Sequence, residues 1–502
     1  MFDGYVLAFN FIASNPMVII VSLGGLLFGI FIGALPGLSG PTGVAILIPL
    51  TFNMPPTYAI SMLGAAYAGG SFGGAITAIL FNTPGSPEAA CTCLDGYPLA
   101  KKGQAGKALG VATGTSALGS TLAVVILALV APPLGRVALT FGPGEYFAMC
   151  IFGLSVIASI DSKSFYKALS AGFIGLILAT VGFDPLSSAA RNTFGLTPLL
   201  TGLNFMPVII GVFAISEVLE RSAHKTLGVV EFGDMGKVSV DLPTLKEWLS
   251  LKVTVARSFF IGVLVGLLPG IGATTASFLA YSEEVRWSKN PKLYGTGVIN
   301  GVAAPETANN TAAMVSMVPT LSLGLPGSAA TAIMIGGLMI HGIQPGPLMM
   351  VTQKQMIYTI FVTLFIASIA MLFGGVLMTR FFAFALKVKY TLLAPIIAVF
   401  CVVGVFCLNY SIFEVTIVFF VAIAGFFFKK YDYPIAPLVI GLVLGKIAEE
   451  NLRRGLAINN SDLAAMLLMR PLPVILLLLT IFSLIYGVLG NIKRKKQQAE
   501  AA

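Results

Sequence analysis

Four Pro-Gly pairs stand in apolar surroundings: Pro36-Gly37, Pro84-Gly85, Pro269-Gly270 and Pro326-Gly327. Proline removes a backbone donor and glycine frees the chain to bend, so each pair can interrupt a helix. Hydroxyls and bare N–H groups follow. Ser39, Gly40, Thr42 and Gly43 come after the first pair and Ser86 after the second, with Asn82 and Thr83 just ahead of it. Thr274, Thr275 and Ser277 follow the third pair, Ser328 and Thr331 the fourth. A helix that restarts at such a break directs orphan N–H donors and the positive end of its dipole toward an anion. None of the breaks holds Arg or Lys. The chemistry expected is capture of a small carboxylate by amides and hydroxyls, with a coupling cation neutralising part of its charge. Taken singly, any one break also reads as a packing kink; the paired recurrence favours a binding site.

A second group of residues suits ion coupling. The segment AAPETANNTAAM, residues 303–314, sets Glu306, Thr307, Asn309, Asn310 and Thr311 in an otherwise apolar stretch. A carboxylate within a membrane is costly and is usually paired or functional. Glu306 can take a proton or, with Asn309 and Asn310, help to hold Na⁺; at a membrane boundary it would merely cap a helix. Glu88 and Asp95 are the corresponding candidates in the first half, Asp95 lying close enough to Lys101 for an interfacial structural role. His341 reads as a boundary residue rather than a proton relay.

Catalytic signatures are missing. There is no GxxxxGK[ST] phosphate loop and no HExxH, and residues 37–40 read GLSG rather than GxSxG. Five cysteines, with Cys91 and Cys93 only one residue apart, form no disulfide framework or metal pattern, and two histidines exclude a histidine-rich site. The expectation is a protein that is not an enzyme and has no cofactor beyond a coupling Na⁺ or H⁺. An anion channel stays open as an alternative because broken helices also line channels, and an intramembrane enzyme stays open behind it.

The elements that must position these groups follow from composition. Of 502 residues, 57% are hydrophobic and 10% charged, against about 25% charged in soluble domains. Runs such as residues 17–35, 108–131 and 392–408 suffice to cross a hydrocarbon core of roughly 30 Å. The chain is expected to be an all-α polytopic membrane protein. Its 55 glycines and 28 prolines lie within apolar helical stretches, where they mark close packing or breaks. The net charge of +9 is scattered over short loops and carries no nucleic-acid pattern. The N-terminus lacks a basic n-region and a cleavage site, so the first span is expected to serve as the targeting signal.

Basic clusters fall at residues 101–107, 163–167, 221–257, 286–292, 380–389, 429–430 and 493–496. Setting all of them inside gives an outer N-terminus and an inner C-terminus. Arg453 and Arg454 then lie awkwardly on the outer side, partly balanced by Glu449 and Glu450. The motifs repeat. ALPGLSGPTG at residues 34–43 is answered by LLPGIGATTA at 267–276, and residues 68–86 by residues 310–328. Equivalent loops differ in charge: 52–57 is neutral where 286–292 is basic, and 101–107 is basic where 341–353 is weakly charged. This pattern predicts two inverted-topology repeats with Pro-Gly-broken or re-entrant helices, residues 1–220 and 252–470. They would be joined by a polar cytoplasmic connector, 221–251, and followed by an extra transmembrane helix and basic tail, 471–502. Such halves can exchange conformations around a central site.

The segments at residues 33–52, 64–109, 266–284 and 301–347 resemble the large membrane subunit of tripartite tricarboxylate transporters. They include GALPGLSGPTG, AGGSFGGAITAILFNTPGSPEAAC, GLLPGIGATTA and GVAAPETANNTAAM. The resemblance covers nearly the whole chain. It implies the permease of a bacterial inner-membrane secondary system for tricarboxylates, dicarboxylates or related small organic anions, driven by an ion gradient. It also implies two partners, a periplasmic solute-binding protein and a small integral membrane subunit, with the N-terminus periplasmic and the C-terminus cytoplasmic. Residues 36–40 and 82–86 would then line the central site, with 305–310 and 325–328 as neighbours.

Overall fold

The computed structural model describes all residues except 1, 36–37, 161–164, 185–186, 188, 224–239, 271, 386–389 and 502. Pro36, Gly37 and His224 therefore lie outside the described residues. The first half of the chain runs through α1 (Phe2–Ser14), α2 (Met17–Ala34), α3 (Gly40–Thr51), α4 (Pro56–Phe81), α5 (Ala90–Leu99) and α6 (Ala105–Ala138). It continues with α7 (Pro143–Ile160), α8 (Phe165–Ala179), the short strands β1 (Gly182–Phe183) and β2 (Ala190–Arg191), α9 (Phe205–Ile209) and α10 (Ser216–Ala223). The second half opens with α11 (Leu245–Leu267), α12 (Gly272–Trp287), α13 (Ile299–Val315), α14 (Met317–Leu323) and α15 (Ala329–Ile340). There follow α16 (Pro347–Thr352), α17 (Lys354–Ala385), α18 (Tyr390–Asn409), α19 (Ile412–Lys430), α20 (Ile435–Ile458), α21 (Leu463–Leu468) and α22 (Pro471–Ala501).

Among the described residues, seven helices are long and apolar enough to cross a membrane. The protein is an all-α polytopic membrane protein, with β1 and β2 its antiparallel exception. The helix boundaries follow the punctuation in the sequence. Prolines sit in the first turns of α3 and α4, where a missing N–H costs nothing. Helix α11 begins inside the polar interval, because Thr244 and Glu247 form a reciprocal capping box there. Between α11 and α12 the chain turns through Gly270 and Gly272, whose φ angles of +82° and +75° suit glycine.

The helices gather into two compact units, each assembled from separate stretches of chain. One contains Met1–Gly135, Arg221–Leu268 and Gly272–Gly404. The other contains Arg136–Glu220, Pro269–Ile271 and Val405–Ala502. In the first unit α4 and α13 are buried along almost their whole length, polar residues included. Helix α4 lies directly on α2, and the approach is backbone to backbone. A Cβ at Gly25, Gly29 or Gly33 would strike the carbonyl oxygen of Met62, Ala66 or Gly70. Gly69 and Gly73 are crowded in return by the carbonyls of Leu26 and Ile30. Lipid tails give two helices no hydrophobic reason to associate, so close van der Waals contact between small residues is what holds such a pair. In the second half, α13 packs on α11 and α12 as α4 packs on α2 and α3.

The second unit is built around α7, α8, α19, α20 and α22, and uses the same device where Gly175 and Gly441 meet the carbonyls of Leu438 and Gly172. Several of its charged groups are paired. Arg453 bridges Asp184 at 2.6 Å and Glu449 at 3.2 Å, and Arg454 bridges Glu450 at 2.6 Å. Arg191 also reaches Glu449, whose hydrogen bond pushes the guanidinium pKa further up from its ordinary value. Lys429 pairs with Glu217 and with Glu220.

The α2–α4 seam leads to a direct comparison. Gly29→Val forces a side chain into the Ala66 backbone and is expected to cost about 3 kcal/mol, whereas Gly24→Val enters open space. The thermal midpoint of purified protein should fall sharply for the first and stay within a degree or two of wild type, roughly the effect of a surface change, for the second.

Candidate functional site

The first unit brings the restarts at α3 and α15 to one place. Helix α3 starts at Gly40 with Ser39 as N-cap, and its first turn has no side-chain cap; the Ser39 and Thr42 hydroxyls instead bond each other at 3.1 Å. Helix α15 starts after Ser328, which forms a reciprocal cap with Thr331. Between the two stands Tyr67 of α4. Its ring lies 3.6 Å from where a Cβ on Gly40 would be, and its hydroxyl donates to Ser328 Oγ at 3.0 Å. The Leu325, Pro326, Gly327 and Ser328 stretch is buried, and Gly327 N donates to Thr320 Oγ1 at 3.2 Å.

The other two restarts also meet. Ser277, in the second turn of α12, donates to the Glu88 backbone carbonyl at 2.8 Å. Glu88 belongs to the single turn Pro87–Ala89 that leads into α5. Each half of the chain thus contributes one restart to each pair. Pro84 and Gly85 hold the approach: Gly85 N donates to Gly74 O at 3.3 Å, and the lack of a side chain lets that backbone lie against Gly33 and Gly74. Asn82 is the left-handed C-cap of α4, with φ of +54°, and it and Thr83 are exposed. Thr274 is half-buried.

Glu306 is fully buried in α13. Both carboxylate oxygens are engaged by hydroxyls, Oε1 by Thr92 at 2.5 Å and Oε2 by Ser116 at 2.9 Å. The Glu88 carboxylate lies within Coulombic reach of Glu306 and of the Tyr67 phenol. Asn310 is buried beside α6, accepting from Ser120 at 3.3 Å, and Thr307 bonds the Ala303 carbonyl within its own helix. Asn309 donates to the Ser71 carbonyl at 2.9 Å.

Asp95 is held by hydrogen bonds from the second half. Its Oδ1 accepts from the backbone N–H groups of Gly295, Gly297 and Val298 at 2.8–3.0 Å, and its Oδ2 from the Tyr281 hydroxyl at 2.9 Å. These donors lead into α13, so a carboxylate from the first half caps a helix of the second. Gly301 is required there because any Cβ would overlap the Asp95 carboxylate. Lys101 stands over the Tyr97 ring at 4.8 Å. His341, just past α15, has its imidazole pKa pushed down by burial.

Residues 19–440 match the tripartite tricarboxylate transporter TctA family. The chain belongs to that family. It is the large, permease subunit of a tripartite transporter and not an enzyme. A protein of Agrobacterium vitis described as an uncharacterised 52.8 kDa protein in the TAR-I ttuC′ 3′ region is 36% identical over 490 residues, covering 97% of this chain and 96% of that protein. A second, described as an uncharacterised protein in the TAR-II ttuC′ 3′ region of the same organism, is 35% identical over 237 residues, which is 47% of this chain and 98% of that one. No solved structure matches the permease.

Sequence reasoning did not single out Tyr67, Ser71, Thr92, Ser116 or Ser120. Their partners lie between about 190 and 261 residues away. The available signal was weak: Ser116 and Ser120 are one turn apart on α6 and face Glu306 and Asn310, themselves one turn apart on α13.

The Asp95 cap can be checked in two steps. Asp95→Ala strips three backbone donors of their acceptor and is expected to cost about 2–3 kcal/mol. Asp95→Asn keeps an acceptor but loses the charge and should cost about half as much. Thermal midpoints of the purified permease, in the order wild type, Asn, Ala, measure this.

Proposed function

We propose that this permease carries a small organic anion, a tricarboxylate or dicarboxylate, into the cell by ion-driven alternating access. The observation that carries the reading is the uncapped first turn of α3 beside Tyr67 and the Ser328 cap of α15. Orphan N–H donors at a helix start, with hydroxyls alongside, suit a carboxylate. The buried polar side chains of the described residues include no Lys or Arg. A bound carboxylate would be held by dipoles and hydroxyls, which release it more readily than a buried ion pair would.

The two halves act as inverted repeats whose broken, re-entrant helices exchange conformations about this centre, with the second-half connections reversed in the membrane. The recurrence of α2–α3–α4 packing in α11–α12–α13 supports that arrangement. The broken helices form the moving part and the long helices the scaffold. The N-terminus is periplasmic and the C-terminus cytoplasmic. A periplasmic solute-binding protein delivers the anion to the outer face, and a small membrane subunit sits alongside, as the tripartite family assignment supports. The driving ion is Na⁺ or H⁺, with Glu306, Glu88, Asn309 and Asn310 nearest the centre of charge.

Reconstituted vesicles decide the matter. Carboxylate uptake should saturate, show counterflow and respond to an imposed Na⁺ or pH gradient; flux without counterflow would mean a channel, and indifference to both gradients would end the symport reading. Tyr67→Phe removes the hydroxyl at the α3–α15 junction and should lower uptake about tenfold, the worth of one hydrogen bond, without lowering the amount of protein in the membrane.

A further inference from the structure

We propose that the side-chain oxygens of Ser71, Ser86 and Asn309 form a binding site for a dehydrated monovalent cation of sodium's size, and that the driving ion binds there rather than on the Glu306 carboxylate. The inference rests on the transport reading above and names the ion site within it.

Of the ten buried side-chain atoms that lack a hydrogen-bond partner among the described residues, three stand on or beside α4: Ser71 Oγ, Ser86 Oγ and Asn309 Oδ1. The residues are 0%, 2% and 0% exposed, so bulk water does not satisfy them. Ser71 belongs to α4, Asn309 to α13 and Ser86 to the turn that follows α4, and the last two approach one turn of α4. Asn309 Nδ2 donates to the Ser71 carbonyl at 2.9 Å, which brings its amide to the Ser71 level. One turn further along α4, a Cβ on Gly74 would stand 2.5 Å from Ser86 Oγ and 3.0 Å from Ser86 N. Residues three apart share a helix face, so Ser71 and Gly74 offer their open side to the same small space. A bare oxygen in a dry interior is costly, and native structures rarely leave one without a reason. Three in one place call for a ligand that approaches oxygen lone pairs.

The internal repeat explains why this spot is open. The interval that separates Ser86 from Ser328 also separates Tyr67 from Asn309. In one copy the long Tyr67 side chain reaches Ser328 and closes the space with a hydrogen bond. In the other copy the shorter Asn309 stands at the tyrosine's position, and Ser86 Oγ is left bare. Tyrosine fills one site, and asparagine leaves room in its counterpart.

Charge selects a cation. Asn309 Oδ1 is purely an acceptor. Glu306 lies one turn before Asn309 on α13, and Glu88 two residues after Ser86. Glu306 supplies field rather than a ligand, because both its oxygens already accept hydroxyl hydrogen bonds, and Asn310 Oδ1 accepts from Ser120. Among the described residues no group of three or more His, Cys, Asp or Glu is placed to hold a metal ion. Neutral oxygens in a negative field fit a hard ion of single charge. The start of α3 is next door: a Cβ on Gly40 would lie 3.7 Å from Ser71 N. A carboxylate held by that helix start can complete the cation's shell, so each ligand raises the affinity for the other by the same factor.

The test uses full-length permease in nanodiscs, without carboxylate, and follows the thermal midpoint as NaCl replaces choline chloride at constant ionic strength. Wild type should show a saturable rise with Na⁺ and a smaller one with K⁺. Ser86→Ala and Asn309→Ala should each weaken apparent Na⁺ affinity at least about tenfold, while Glu306→Gln, which removes field but no ligand, should weaken it less and leave a saturable response. Asn309→Asp, which preserves shape and adds charge, should tighten Na⁺ and guards against an alanine variant that fails to fold. The proposal is overturned by a wild type without a Na⁺-specific rise, by alanine variants that respond as wild type does, by loss of the response in Glu306→Gln, or by unchanged or weaker binding in Asn309→Asp. Carboxylate uptake driven by pH and indifferent to Na⁺ would overturn this site and leave the transport reading intact. Specific Na⁺ binding with no carboxylate uptake would do the reverse.

Discussion

A helix broken in an apolar medium must find partners for its freed backbone groups, and lipid offers none. Every feature of the centre follows from how that demand is met. The break after α4 is answered by Gly74, whose carbonyl takes the Gly85 N–H. The break before α15 is answered by Thr320 and by Ser328 with Thr331. The approach to α13 is answered from another part of the chain, by Asp95. The first turn of α3 has no side-chain cap, and its Ser39 and Thr42 hydroxyls bond each other.

The same logic governs the choice of polar groups. A buried ion pair is weak evidence of stability, because desolvation offsets most of the attraction. The described centre surrounds the fully buried Glu306 carboxylate with hydroxyls. The second unit instead uses ion pairs freely, among Asp184, Arg191, Glu449 and Arg453, where every side chain but that of Asp184 is partly exposed.

Much of this was legible in the sequence because its signals are local. Pro-Gly pairs punctuate helices wherever they occur, and hydropathy identifies spans from short windows. The polar run in α13 was visible for the same reason. What could not be read was which hydroxyls face which carboxylate. Serine and threonine are ordinary in membrane helices, and Ser116 becomes notable only when Glu306, 190 residues later, is brought against it. Asn82 illustrates the limit from the other side: asparagine is a ligand type and also a residue that tolerates left-handed backbone, and spacing alone does not separate the two uses.

The interleaving of the two units has a consequence for how the permease is made. Tyr67 must wait for Ser328, 261 residues further along the chain, before its hydroxyl has a partner. At about 5–20 residues per second of synthesis, that delay is on the order of tens of seconds. Throughout it, the Tyr67 hydroxyl and the Asp95 carboxylate lack their native partners. A chain halted midway therefore carries polar groups whose native partners have not yet been made.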